Sequence, residues 1–262
     1  MNDHASAPLL VRSTTDEVAT LTLNRPRQYN ALSAGLLEAL HAELDALAAD
    51  KSVRVVLVTG SGSAFCSGHD LKEMRALPSR GEVEALFKAC SAMMQKLVAL
   101  PQPVIAVVNG LATAAGCQMV AQCDLAVASA NARFAVSGIN LGLFCSTPAV
   151  ALSRNLGRKR AAEMLFTGDF IDAETAMDWG LLNRVVPSEQ LMEAALALAG
   201  QLKAKPRSAL ALGKALFYRQ LEQPLAAAYE DASCTIAANM DSDVAREGVD
   251  AFFAKRPPDW KD

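Results

Sequence analysis

The sequence predicts an α/β fold, and three observations carry that prediction. β-branched apolar runs stand at Val55–Val58 and Val104–Val108, as expected of strands covered on both faces. Each run leads into a turn of glycine and small residues and then a helix signal, so the order strand, strand, helix recurs. From about Thr147 onward the strand signal fades and apolar helical periodicity takes over.

In chain order, Val18–Leu23 (VATLTL) alternates like a strand with one buried face, and Asn24–Arg25–Pro26 breaks it. Ser33 suits the N-cap of a helix running to about Asp50, with Leu36, Leu37, Leu40, Leu44 and Leu47 on one face. After the Val55–Val58 strand, Gly60–Gly62 reads as a turn and Ser67–Gly68–His69 as a close-approach loop before a polar helix start. Glu82–Leu100 is an amphipathic helix stopped by Pro101. The strand Val104–Val108 ends at Asn109–Gly110. Small residues from Ala112 to Gly116 follow, then a helical segment around Met119–Ala121. Leu125–Ala128 and Arg133–Val136 are further short strands. Helices are expected at 147–166, 173–179, 188–203, 206–222, 224–240 and 243–254, with Pro187, Pro206 and Pro224 at boundaries. Their Ala/Leu faces exceed what they can bury on themselves, so the main body or a neighbouring subunit should cover them.

Composition narrows the function. Of 262 residues 52% are hydrophobic and 5% aromatic, so Ala, Leu and Val must fill the core. A net charge of −3 argues against nucleic acid as a partner. No apolar run approaches the roughly 18–20 residues of a membrane span. The opening MNDHASAPLL lacks the pattern of a secretory signal. The six cysteines form no CxxC pair, so neither zinc nor a disulfide framework is expected, and reduced thiols point to a cytoplasmic location.

The two strand–turn–helix stretches, Val53–Leu71 and Pro103–Asp124, carry the chemistry. Such turns leave backbone N–H groups unpaired at a helix start, where an anion or a developing oxyanion can be held. The same pattern also describes ordinary strand–loop–helix connections, and residue pattern leaves both readings open. Gly60–Ser61–Gly62 does not continue as a dinucleotide fingerprint, because its third glycine would be Phe65. His69 has only adjacent Asp70 as a carboxylate neighbour and is expected to be solvated or at a pocket rim. Asp124 is expected to cap a turn. In Phe144–Cys145–Ser146–Thr147–Pro148 nothing nearby would activate the thiol. A helix N-cap by Ser146 or Thr147, with Pro148 at the first helical position, accounts for the run.

Taken together these blocks resemble the crotonase (enoyl-CoA hydratase/isomerase) superfamily. The carriers are Leu23–Pro26 with Asn30–Leu32, Ala64–Lys72, Val108–Gly110 through Cys123–Asp124, Gly142–Leu143, Leu165–Gly168, Gly180–Leu181 to Val186–Pro187, and Glu247–Gly248 to Lys255–Arg256. The Phe144–Pro148 run and Ala114–Gln118 are similar to one branch of it. The resemblance implies a spiral of ββα units over residues 1–200 and a helical trimerisation region over 201–262, assembled as a homotrimer or a hexamer that is a dimer of trimers. It implies a coenzyme A thioester as substrate or ligand, with no permanently bound cofactor and no metal.

On this match the oxyanion hole is the backbone N–H of His69 and of Ala115. Coenzyme A contacts fall on Arg27, Gln28, Asn30, Ala64, Phe65 and Lys72, and on Phe252 and Lys255 of a neighbouring subunit. Hydratases of the superfamily place two glutamates around a water. Gln118 and Gly138 stand at those positions here, and neither can take a proton. No acid stands near Cys145 or Ser146 either, where other branches carry one. The sequence therefore leaves two expectations: a CoA-thioester enzyme (lyase, isomerase, decarboxylase or hydrolase) working through its oxyanion hole, or a non-catalytic acyl-CoA binder. A purely structural oligomer is disfavoured by the retained pocket motifs.

Overall fold

The structure, a computed structural model, describes residues 7–261; residues 1–6, part of the opening read for a leader, lie outside the described residues. The chain begins with β1 (Leu10–Thr15) and β2 (Val18–Leu23), followed by α1 (Ala34–Ala49). Three ββα passages come next. The first is β3 (Val55–Gly60), β4 (Ala64–Cys66), α2 (Leu71–Ala76) and α3 (Arg80–Ala99). The second is β5 (Val104–Val108), β6 (Leu111–Thr113) and α4 (Ala115–Gln122). The third is β7 (Leu125–Ser129), β8 (Arg133–Ala135), a 3-10 turn at Ser137–Leu141 and α5 (Ser146–Asn155). The remainder is α6 (Arg158–Thr167), β9 (Ile171–Asp172), α7 (Ala173–Asp178), β10 (Arg184–Val186), α8 (Leu191–Lys203), α9 (Arg207–Gln220), α10 (Leu225–Met240) and α11 (Asp243–Phe253).

Within each passage the first strand joins one sheet and the second joins another. The larger sheet runs β1-β2-β3-β5-β7-β10 and the smaller β4-β6-β8-β9. From β2 to β10 the larger sheet is parallel, which requires cover on both faces. Side chains alternate across each strand, so Val55, Leu57, Ile105, Val107 and Val127 meet Leu191, Ala195, Leu198 and Ala199 of α8. The opposite face, with Val56, Val58, Val104, Ala106 and Val108, joins Leu36 and Leu40 of α1, Met93 and Leu97 of α3, and Phe65 and Phe134 of the smaller sheet. Ser33 caps α1 by accepting from the Leu36 N–H, and the five predicted leucines are its buried residues.

Several expectations need correction. β1 carried too few apolar residues to be read as a strand. It is an exposed edge strand, antiparallel to β2, held by Arg12 donating to Glu43 and Asp50. Strand pairing does not stop near 147, because β10 joins β7 in parallel and β9 joins β8 antiparallel. The helix expected over 147–166 is two helices. Leu156 is extended and Gly157 caps α6, while the Asn155 amide donates to Ala151 and Ala121 carbonyls and pins the break.

Asp124 caps no turn. Its carboxylate accepts from Val104 N–H at 2.7 Å, Lys214 Nζ at 2.7 Å and Tyr218 OH at 2.8 Å, tying α9 to the start of β5. At Phe144–Pro148 the N-cap position belongs to Cys145 without a side-chain bond, Ser146 donates to Phe144 O, and Pro148 is the third helical residue. No helix among the described residues is long and apolar enough to cross a membrane.

Candidate functional site

The site is built where the β4 strand and the β6–α4 connection run side by side. β4 pairs in parallel with β6 on one edge, Ala64 with Leu111 and Cys66 with Ala112. On its other edge the continuing chain meets Leu32 in a lone bridge. Leu32 N–H donates to Gly68 O at 2.7 Å, and Asp70 N–H donates to Leu32 O at 3.1 Å. Those bonds use the groups flanking His69, so the His69 N–H points away from Leu32, toward the edge where β6 leads into α4. Thr113 Oγ1 donates to Ser67 O at 3.0 Å and holds the two segments together.

The facing turn is strained to suit. Ala114 adopts φ 48° and ψ −117°, a conformation that an alanine rarely takes, and α4 begins at the next residue. Two glycines permit the close approach. A Cβ on Gly116 would lie 2.0 Å from Cys66 O, and one on Gly68 would lie 2.9 Å from Ala114 Cβ and 3.3 Å from Ala115 N. The amides of His69 and Ala115 donate to no acceptor among the described residues. Ala115 is the first residue of α4, so the positive end of the helix dipole adds to its donor character.

Among the side chains expected at this site, neither Gln118 nor Gly138 can carry a proton, and burial shifts His69, Cys117 and Cys145 away from proton exchange near neutrality. His69 is half-buried. Its ring lies 4.7 Å from that of Phe87, its Nε2 is buried without a partner, and burial lowers its pKa to about 4. Gln118 is buried on α4, with its Oε1 likewise unpartnered. Gly138 lies against the segment that follows it: a Cβ there would meet Leu143 O at 2.6 Å and Cys145 Sγ at 2.7 Å. Sulfur and backbone thus fill the space a glutamate side chain would need. Burial raises the Cys145 pKa, against a hydrogen bond from the Gly138 amide, and pushes Cys117 up to about 12. Both are therefore thiols at neutral pH and poor nucleophiles. Ser146 is exposed, its hydroxyl donating to the Phe144 carbonyl.

The remaining predicted residues fall into four groups. Arg27, Gln28 and Lys72 are exposed on the two segments beside the donor turns. Ala64 and Phe65 are buried in β4, and only backbone there can face a ligand. Asn30 is fully buried: its carbonyl oxygen accepts from Arg25 N–H, and its amide donates to Ser61 O and Ala64 O. It shapes the loop and has no side-chain group left for a ligand. Phe252 and Lys255 lie at the exposed end of α11, which packs on α10.

Residue-by-residue reading missed the pair Arg25–Asp70. Arg25 Nη2 donates to Asp70 Oδ2 at 2.9 Å while Asp70 Oδ1 caps α2 through the amides of Lys72 and Glu73. Its only signal was that both residues sit inside the Leu23–Pro26 and Ala64–Lys72 blocks.

A family model described as Enoyl-CoA hydratase/isomerase matches residues 13–262. The chain belongs to the enoyl-CoA hydratase/isomerase family. Its architecture is the crotonase spiral of ββα units, followed by C-terminal helices. A crystal structure of an enoyl-CoA hydratase from Mycobacterium smegmatis matches with a TM-score of 0.96 at 56% identity, covering 98% of this chain and 100% of that one. The crystal structure of human enoyl-CoA hydratase domain-containing protein 3 matches with a TM-score of 0.93 at 42% identity, covering 96% and 100%. The rat (Rattus norvegicus) mitochondrial protein of that name is 46% identical over 245 residues, 94% of this chain and 82% of the relative. The branch that the Phe144–Pro148 and Ala114–Gln118 runs resemble is thus among the relatives of this member of the crotonase superfamily. The 2,3-dehydroadipyl-CoA hydratase of Escherichia coli is 36% identical over 255 residues, 96% of this chain and 98% of that one.

Proposed function

We propose that the protein binds an acyl-CoA thioester and holds its carbonyl oxygen between the amides of His69 and Ala115, stabilising an enolate without a carboxylate pair. The observation that carries this reading is the pair of partnerless amides on two turns that only Gly68 and Gly116 allow to meet. One such donor contributes about 2.7–4 kcal/mol to lowering a barrier. Arg27 and Lys72, both exposed, would meet the nucleotide phosphates, with Gln28 next to Arg27 in the chain. Phe252 and Lys255 would join the site of a neighbouring copy in a homotrimer or a dimer of trimers.

Hydration is the reaction the site serves least. Gln118 can orient a water but not deprotonate it, and the space beside Gly138 is taken by Cys145 and Leu143 O. General acid–base groups contribute about 10²–10⁴-fold each, so losing both leaves chemistry in which the substrate supplies its own driving force. Decarboxylation to an enolate is of that kind. A second reading, a non-catalytic acyl-CoA binder, is favoured by one observation: Gln118 and Gly138 carry no ionisable group, and the half-buried His69 has a buried Nε2 with no partner to activate it.

Calorimetric titration with crotonyl-CoA, beside turnover assays for hydration, isomerisation, decarboxylation and thioester hydrolysis, tests both. Binding with negligible hydration supports the proposal. Turnover in another assay selects the enzyme, and none selects the binder. Rapid hydration, or no binding of the thioester, would sink it.

A further inference from the structure

We propose that Arg25 is a positioning residue that fixes the direction of the His69 amide; this rests on the reading of that amide as a thioester donor. The bridge that orients His69 is a lone pair of hydrogen bonds to Leu32, outside any strand. Two hydrogen bonds of ordinary strength hold a peptide plane weakly, and donor strength falls steeply as the N–H turns off line.

Arg25 supplies what the bridge lacks. Its Nη1 donates to Ala31 O at 2.5 Å and its Nη2 to Asp70 Oδ2 at 2.9 Å. Ala31 immediately precedes Leu32, and Asp70 immediately follows His69. One planar guanidinium therefore clamps both chains beside the bridge through two nitrogens held in a rigid fork, a geometry that the single ammonium nitrogen of a lysine lacks.

The fork is itself anchored at both ends. Arg25 N–H donates to Asn30 Oδ1 at 2.9 Å, and Arg25 O accepts from Asn30 N–H at 2.9 Å. Asp70 is held by the first turn of α2. The ion pair is largely enclosed, with 14% and 13% of the two side chains exposed, so solvent screens it less than a surface pair. The buried Nε2 of His69 has no partner and gives the loop no comparable anchor. Alignment of the donor is thus assigned to a residue that touches neither substrate nor the amide itself.

The carbonyl stretch of bound butyryl-CoA, labelled with ¹³C at the thioester carbon and read by infrared difference spectroscopy, tests this in the full chain. Wild-type protein should shift the stretch to lower frequency. Asp70→Asn, which keeps an acceptor for the α2 cap but loses the charge, should lose most of that shift. Arg25→Lys should lose part of it. Arg12→Met, which removes an ion-paired arginine from the far edge of the larger sheet, should keep all of it.

No shift in wild-type protein would overturn the donor reading and this inference with it. A wild-type shift that persists undiminished in Asp70→Asn and Arg25→Lys would overturn the role of Arg25 alone. An equal loss in Arg12→Met would show that the shift follows general stability, and would overturn it as well. If Asp70→Asn does not fold, Arg25→Lys, which keeps the charge, carries the comparison.

Discussion

Gly138 and Cys145 show how packing limits the side chain that a single position can carry. The residue types by themselves said only that no carboxylate stood there; the coordinates add that none can be introduced by simple replacement. Gly138→Glu forces a Cβ against Leu143 O, a backbone atom, and against Cys145 Sγ. Overpacking of this kind costs about 1–3 kcal/mol. We expect Gly138→Glu, alone or with Gln118→Glu, to lower the melting temperature and to yield no crotonyl-CoA hydration. Efficient hydration by the double variant would show that the site is not the one described.

His69 gives a pH prediction at the same scale. Its folded pKa of about 4 lies below the ordinary 6.5, so the unfolded chain binds its proton first. The contribution is fully present above pH 6.5 and is lost as pH falls toward 4, by roughly 3 kcal/mol in all. Denaturant unfolding of wild type and His69→Gln between those limits should show the slope shrinking in the variant.

At the scale of elements, both donor turns were legible as strand, small-residue turn and helix start, because backbone chemistry follows from residue size and glycine placement. That they lie side by side was implied by the family resemblance and not by residue pattern, since it depends on the parallel pairing of β4 with β6. The alanine at position 114 is a particular surprise: nothing in its type announces φ 48°. Ala114→Gly should relieve that strain and leave stability unchanged or raise it by about 1 kcal/mol, as read by denaturant midpoint. Ala115→Pro deletes the amide hydrogen at the first position of α4, where proline is tolerated. Loss of butyryl-CoA carbonyl polarisation with a folded chain is the expected result.

For the whole molecule, two features decide how the pieces hold together. Lys214, 7% exposed, reaches from α9 to Asp124 and also donates to Leu97 O and Gln102 O. Lys214→Met leaves that carboxylate buried without its cation and should cost about 3–5 kcal/mol of unfolding free energy. The second feature is the apolar surface of the C-terminal helices: Leu225, Tyr229, Phe252 and Phe253 are each at least 69% exposed. Covering it with further copies would make the melting temperature rise with protein concentration, and sedimentation would show a trimer or larger.

The sequence by itself determined what depends on neighbours along the chain: the buried strands, α1 with its Ser33 cap and leucine face, the repeating ββα order and the two turns that bare backbone amides. It also showed that Gln118 and Gly138 carry no group that can take a proton, since proton-handling capacity is a property of residue type. Only the tertiary structure decided what depends on residues far apart: the burial of His69 against Phe87, the sulfur of Cys145 above Gly138, the Asp124–Lys214 tie, and the Arg25 fork across Ala31 and Asp70. Those contacts join segments tens of residues distant, and local periodicity carries no information about which distant group will meet a given polar atom once water is excluded.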